Sequence, residues 1–181
     1  SFSLLAIPFF LLAGNLMTAS GITQRVLAFA NAVVGRFPGG LAMTNIVTNI
    51  FFGGISGSAV ADCAAIGSIM MPAMIKEGYG KAFTVAVNAN AAIVAPIIPP
   101  SILFVMYGVL TGQSITRLFV AGAVPGVLIG LGFILVAYFV SKRRNYPRHE
   151  PASLREIAAS FKNSALAILM PIFNLNQLVG R

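Results

Sequence analysis

The chain has 181 residues, 57% of them hydrophobic and 9% charged, with a mean hydropathy of +0.89. An ordinary soluble domain carries about 25% charged residues, so this composition excludes one and describes an integral membrane protein. The formal charge of +8 is spread thinly between apolar runs, as membrane loops carry it, rather than gathered into the basic face that binds nucleic acid.

Residues 1–20 read as a membrane span: positions 2–19 are uncharged, and Pro8 and Gly14 are tolerated kink points. The chain begins at Ser1 inside that apolar stretch, with neither an initiator Met nor a basic n-region ahead of a cleavage site, and reads as a fragment. Over 21–36, Ile22, Val26, Phe29 and Val33 recur at helical spacing opposite Gln24, Arg25, Asn31 and Arg36, which predicts a short amphipathic helix at the interface.

Residues 37–75 hold one charge, Asp62, in an apolar run broken by Gly53-Gly54-Ile55-Ser56-Gly57-Ser58. As one helix this run would measure roughly 58 Å at about 1.5 Å per residue, nearly twice a hydrocarbon core of about 30 Å. Two full spans with a polar loop would need more residues than it has. The geometry left is a re-entrant hairpin over 41–76, two half-helices meeting at a Gly/Ser tip inside the membrane. Irregular backbone survives there only if protein or an aqueous cavity satisfies it, so such a hairpin points to a solute or ion pathway.

Residues 82–116 carry no charge, and 82–113 read as a broken helix. Pro96, Pro99 and Pro100 remove backbone donors and disfavour helix at the preceding residues, so the segment 96–101 must unwind. Residues 118–141 form an ordinary span that ends in Lys142, Arg143, Arg144 and Arg148, a cluster the positive-inside rule places in the cytoplasm. Counting back puts Arg117 outside and the loop 76–81 inside, with Arg36 also inside if the hairpin re-enters. Residues 142–163 read as a cytoplasmic loop and helix: Ser153 and Glu156 have capping-box spacing, and Leu154, Ile157, Ala158 and Phe161 share one face. Residues 164–181 read as the start of a truncated span, because the apolar run 165–173 is shorter than the roughly 17 residues a crossing needs. The fold class expected is an all-α polytopic membrane protein forming a single, partial transmembrane domain.

Asp62 is the sharpest residue, since a carboxylate at bilayer depth costs at least about 2.5–3.5 kcal/mol unless paired or hydrated. It either meets an ion or substrate or caps the tip amides. Ser56 and Ser58 offer hydroxyls, and Gly53, Gly54 and Gly57 free backbone carbonyls and amides, ligands suited to sodium and to a carboxylate respectively. The same small residues also suit close helix packing. Thr44, Asn45, Thr48 and Asn49 pair at i,i+4 on the first arm; interhelical hydrogen bonding explains them, and Asn88 and Asn90, as well as ligand contact does, and Asn49 stands as a candidate ligand. In the break, Ser101 and the carbonyls around 96–99 are candidate ligands, with a plain kink as the alternative.

Enzyme readings lack their residues. Asp62 has no second intramembrane acid with which to share a proton, the one histidine, His149, lies in the basic loop, and no phosphate-binding Gly-rich motif follows a strand. A lone Cys63 excludes an internal disulfide and a thiolate zinc cluster.

GGISGSAVAD at 53–62, MPAM at 71–74, GY at 78–79, PIIPPS at 96–101, YG at 107–108, TG at 111–112 and LFVAGAVPG at 118–126 together resemble the large, DctM-like membrane subunit of the tripartite ATP-independent periplasmic (TRAP) transporters. The resemblance runs from about Pro8 to about Pro171. It implies one half of a sodium-driven, elevator-type transporter of the ion-transporter superfamily, whose second, inverted half lies outside this chain. It also implies a small membrane subunit and a periplasmic solute-binding protein as partners, delivering C4-dicarboxylate or sialic-acid-like solutes. The matching site positions are Ser56, Gly57, Ser58 and Asp62 at the tip, with Ser56, Ser58 and Asp62 toward sodium, and Pro96, Pro99, Pro100 and Ser101 at the break. The expected function is thus a multi-pass permease component in the bacterial inner membrane, embedded in the lipid bilayer, with no cofactor beyond sodium as coupling ion and no nucleic-acid partner. A passive channel or a structural subunit is the alternative.

Overall fold

Every regular element is a helix in the computed structural model, which describes Pro8, Leu12 and residues 20–165. In chain order these are α1 (Ile22–Val34), α2 (Gly40–Ser56), α3 (Ala59–Lys76), α4 (Lys81–Ala92), α5 (Ile102–Thr111) and α6 (Ile115–Arg143), with a further helical run, α7, over residues 154–165. The spans expected over 1–20 and 164–181 fall almost entirely outside the described residues. Two helices, α3 and α6, are long and apolar enough to cross a membrane by length and composition.

α2 is the hub. It packs on α1, α3, α4 and α6, and all its residues except Val47, Ile50 and Phe51 are buried. A helix apolar on all sides needs this enclosure. Its polar residues Thr44, Asn45, Thr48, Asn49 and Ser56 are 0–2% exposed, so the polar edge faces protein rather than lipid. α3 buries one stripe, Asp62, Ile66, Met70 and Met74 at i,i+4 steps with Gly67 beside it, packs Ala65, Ile69 and Ala73 partly against the core, and exposes Val60 and Ile75.

The proline segment unwinds over a longer stretch than 96–101. From Ile93 the hydrogen bonds tighten to i−3, with Ile93 N–H on Asn90 O at 3.2 Å, Val94 on Ala91 at 3.2 Å and Ala95 on Ala92 at 3.1 Å. Pro96 cannot continue an i−4 ladder, and the turn before it tightens in response. Helix resumes at Ile102 and ends at Thr111, two residues short of the expected limit at 113.

α6 extends the expected 118–141 span to a 29-residue helix, and its glycines give the depth of its neighbours. A Cβ on Gly130 would fall 2.6 Å from the Ile50 side chain, one on Gly126 2.7 Å from Ile98, and one on Gly122 2.7 Å from the Ile97 carbonyl oxygen. From Arg143 back to Gly126 is roughly 26 Å of helix at about 1.5 Å per residue, close to the length of either hairpin arm. Gly39 meets Ser141 and Ile50 meets Gly130, so the α2–α3 corner lies in the first third of α6, about two turns from its start, and α5 and those first turns continue beyond it.

At the opposite end the loop after α6 folds across the start of α2 and the end of α3. Gly39 N–H donates to Pro147 O at 3.1 Å, and His149 N–H to Gly35 O at 3.0 Å. Tyr146 stacks on Tyr79 at 4.5 Å and lies 5.2 Å from Phe83. Arg36 and Lys76 thus flank the same end of the bundle.

α1 buries Thr23, Val26, Leu27 and Ala30, a face rotated from the expected Ile22, Val26, Phe29 and Val33. α2 and α7 pack on α1: Phe29 lies between Phe51 and Phe161, Ser164 Oγ donates to Arg25 O at 2.8 Å, and Asn31 accepts the Thr44 hydroxyl at 3.3 Å. The capping box forms as expected, with Ser153 N–H on Glu156 Oε2 at 2.7 Å and Glu156 N–H on Ser153 Oγ at 3.2 Å. These bonds to Ser153 hold the Glu156 carboxyl below its usual range. The Leu154–Phe161 face is not buried, however: Leu154 is 86% exposed.

Candidate functional site

The hairpin reverses in two residues because each supplies what a helix end needs. Gly57 adopts φ 60°, ψ 14° and closes α2 with its N–H on Gly53 O at 2.9 Å, a left-handed conformation natural to glycine. Ser58 is extended and opens α3 by accepting the Ala61 N–H on its hydroxyl at 3.4 Å. Asp62 follows in the first turn of α3, where the helix dipole favours negative charge.

Burial makes this corner chemically distinct. Asp62 is 0% and Ser56 2% exposed. The Ser56 hydroxyl donates to Asp62 Oδ1, and its oxygen accepts the Ser58 N–H at 3.2 Å. Asp62 Oδ2 has no hydrogen-bond partner among the described residues, and neither do Asn49 Oδ1 and Thr48 Oγ1, all buried.

Gly57 is pressed onto the proline break. A Cβ there would fall 2.9 Å from Pro100 O, 3.0 Å from Ile102 N and 3.2 Å from Ser101 Cα. One turn below, a Cβ on Gly53 would fall 2.5 Å from Ala95 Cα, so two glycines set the distance between hairpin and break. Pro99 and Pro100 are joined by a cis peptide bond and buried. Ser101, 0% exposed, donates to Pro96 O at 2.6 Å and accepts the Phe104 N–H at 3.3 Å, capping α5. The Pro96 carbonyl thus accepts one hydrogen bond and keeps its second lone pair.

The structure gathers Ser56, Gly57, Ser58, Asp62, Pro100 and Ser101 at one place, ties Pro96 to it through Ser101, and joins Pro99 through its peptide bond. Asn49 lies two turns lower on α2. The N-termini of α3 and α5 and the C-terminus of α2 converge on the corner. Such ends favour anions and cations respectively, so the corner can hold a carboxylate and a cation side by side.

Below the corner lies an amide network whose extent spacing could not reveal. Asn49 Nδ2 donates to Asn45 Oδ1 at 2.8 Å, Asn45 Nδ2 to Asn88 Oδ1 at 3.2 Å, and Asn88 Nδ2 to Cys63 O at 3.0 Å. Asn88 thereby links α2, α3 and α4 while 1% exposed. Gly67 leaves it room: a Cβ there would fall 2.5 Å from Asn88 Nδ2. For Asn45 and Asn88 interhelical bonding is the outcome. His149 also has more partners than its sequence neighbours suggest, with Nδ1 3.1 Å from Asn31 Oδ1 and Nε2 3.0 Å from Glu77 Oε1.

The family described as "Tripartite ATP-independent periplasmic transporter, DctM component" matches residues 1–179, past Pro171, where the motif resemblance ends. The chain is 44% identical over 180 residues to YgiK of Salmonella typhimurium, covering 99% of this chain and 41% of that protein. It is 42% identical over 172 residues to the sialic acid TRAP transporter permease protein SiaT of Haemophilus influenzae, covering 95% and 28%. With the C4-dicarboxylate TRAP transporter large permease protein DctM of Pseudomonas aeruginosa it shares 41% over 177 residues, covering 98% and 42%. The chain thus spans less than half the length of these relatives.

Proposed function

The chain belongs to the DctM component family of tripartite ATP-independent periplasmic transporters, and from that membership we propose that it is part of the membrane permease of a sodium-coupled secondary transporter for carboxylate solutes, C4-dicarboxylate or sialic-acid-like. Its family is one of transport components rather than enzymes. In this reading it is a multi-pass protein of the bacterial inner membrane that works with a small membrane subunit and a periplasmic solute-binding protein.

The observation that carries the reading is the contact between the hairpin corner and the proline break, with a buried carboxylate beside it. The hairpin is re-entrant in this account. Its corner stops about two turns short of the start of α6, and both arms return to the same basic end. A buried carboxylate with one oxygen unpartnered is costly, and sodium on Asp62 Oδ2, with Ser56 and Ser58 and the end carbonyls of α2, offsets that cost. Asn49 Oδ1, buried and unpartnered, is a further candidate oxygen ligand. The solute carboxylate is held at the N-termini of α3 and α5, next to Gly57 and Ser101, on backbone shaped by Pro96, Pro99 and Pro100. Sodium orders corner and break around the solute, and the unit then moves as a rigid body, elevator fashion, against a fixed scaffold.

The test is solute uptake by the complete transporter in proteoliposomes, with and without sodium. Uptake should vanish without sodium, and Asp62→Asn should abolish the sodium-dependent rise in thermal stability, which at an ion concentration of about 100 Kd amounts to about 2.7 kcal/mol. Uptake unchanged in sodium-free buffer would end the coupling claim. Flux that never saturates would mark a passive channel, and full activity in Asp62→Asn and Ser56→Ala a structural role.

A further inference from the structure

A groove of about 540 Å³ runs between α4 and α6 on the side of the bundle away from the corner, with Ile46 of α2 in its wall. That volume is within the range of roughly 300–1,000 Å³ typical of small-molecule sites. Ala82, Ala86 and Val87 line one side, Phe133, Val136 and Val140 the other, and Arg144 lies at one end. Asn90 also borders it, but its amide is turned onto its own helix, donating to Ala86 O at 2.7 Å. The groove is thus an apolar slot with one cation at its mouth.

Arg144 is held in place without being neutralised. Nη1 donates to the Tyr146 hydroxyl oxygen at 3.3 Å, and the guanidinium lies 5.6 Å from the Phe83 ring centroid. A guanidinium has five donors, so most of the fork stays available. The ion pair among the described residues is His149 with Glu77, which leaves Arg144 without a carboxylate partner. Lys142, Arg143 and Arg148 add to the positive charge at this end. Val85, Val136 and Phe139, exposed by 55%, 61% and 61%, open the flanks of the slot outward.

We infer that this groove binds a phospholipid of the cytoplasmic leaflet, its phosphate on Arg144 and one acyl chain laid between α4 and α6. The dimensions agree: from Arg144 to Phe133 is roughly 16 Å along the helix, about half a hydrocarbon core of about 30 Å, the depth of one leaflet. The chemistry agrees as well, since the planar fork matches phosphate geometry and the basic cluster attracts anionic headgroups. A polypeptide segment laid there would meet Arg144 with a carboxylate or backbone carbonyls and would leave no lipid in the slot.

Photoreactive phosphatidylglycerol, presented in vesicles to the complete transporter, tests this. Cross-links should map to residues 82–90 and 133–140 and fall about tenfold in Arg144→Gln, the effect of losing about 1.4 kcal/mol. Ala86→Trp, which fills the apolar slot, should remove them, while Arg117→Gln at the other end of α6 should leave them unchanged. A diacylglycerol of the same chains, lacking phosphate, should label weakly. A photoreactive residue at position 136 in the otherwise unaltered protein gives a second readout and should capture lipid. Equal labelling by diacylglycerol, equal labelling of Arg144→Gln, or capture of polypeptide at position 136 would overturn the assignment.

Discussion

The two ends of the α2–α3 hairpin are held by different means. The base is bound redundantly, by the Tyr79–Tyr146–Phe83 cluster, backbone bonds from Gly39 and His149, and the His149 bridge between Asn31 and Glu77. The corner is held by the Ser56–Asp62 hydrogen bond and by the close approach of Gly57 to the break. A region with many independent long-range contacts opens rarely, whereas one with few can rearrange around a ligand. In the proposed mechanism that difference makes the base the anchor and the corner the part that responds.

The strongest challenge to that contrast is Gly57→Val. A β-branched residue at φ 60° whose Cβ meets Pro100 O carries a backbone penalty of about 1–3 kcal/mol and forces corner from break. Uptake should be lost with the protein still folded by circular dichroism. Retained uptake would mean that the contact is incidental. Next comes Asn88→Leu, which leaves the buried Asn45 amide donor without its partner, a cost of about 1–3 kcal/mol. Reduced thermal stability is expected, because the network joins anchor to corner.

At the base the effects should be smaller. His149 and Glu77 are 32% and 34% exposed, so a double-mutant cycle with His149→Ala and Glu77→Gln should give a coupling under about 1 kcal/mol. A value above that would mean the base depends on one contact rather than many. The smallest effect is expected from Tyr79→Phe near neutral pH. Burial pushes the Tyr79 phenol from its ordinary 10.0 up to about 12, so the fold favours the protonated form. That stabilisation is complete below pH 10 and is lost as pH rises toward about 12. Thermal melts across pH 9–11 should show a steeper alkaline loss in the unaltered protein than in Tyr79→Phe.

Much of the site was legible as spacing. Ser56, Gly57, Ser58 and Asp62 lie within seven consecutive positions, so whatever the corner does, it holds them together. Pro96, Pro99 and Pro100 are equally local, because proline acts on its own turn. That the two groups touch is a long-range fact, set by Gly57 and Gly53 on one side and Gly122 and Gly126 of α6 on the other. Nothing in the order of residues indicates which glycine meets which backbone. Which face of α1 packs on its neighbours was open for a related reason: the 3.6-residue period identifies a helix but not the stripe that its neighbours cover.

The amino-acid order by itself determined the all-helical class, the membrane character, a hairpin turning within residues 53–58 and the proline interruption, because propensity, hydropathy and missing backbone donors act over a few residues; that Gly53 to Ser56 stay helical and only Gly57 and Ser58 form the turn was left to the structure. Tertiary structure alone decided that corner meets break, that Asn88 ties three helices, that Ser101 donates to Pro96 O, and that His149 joins Asn31 to Glu77. Apart from the local Ser101–Pro96 bond, these are contacts between positions far apart in the chain. They depend on helix crossing and rotation, which follow from how whole faces pack rather than from any local pattern.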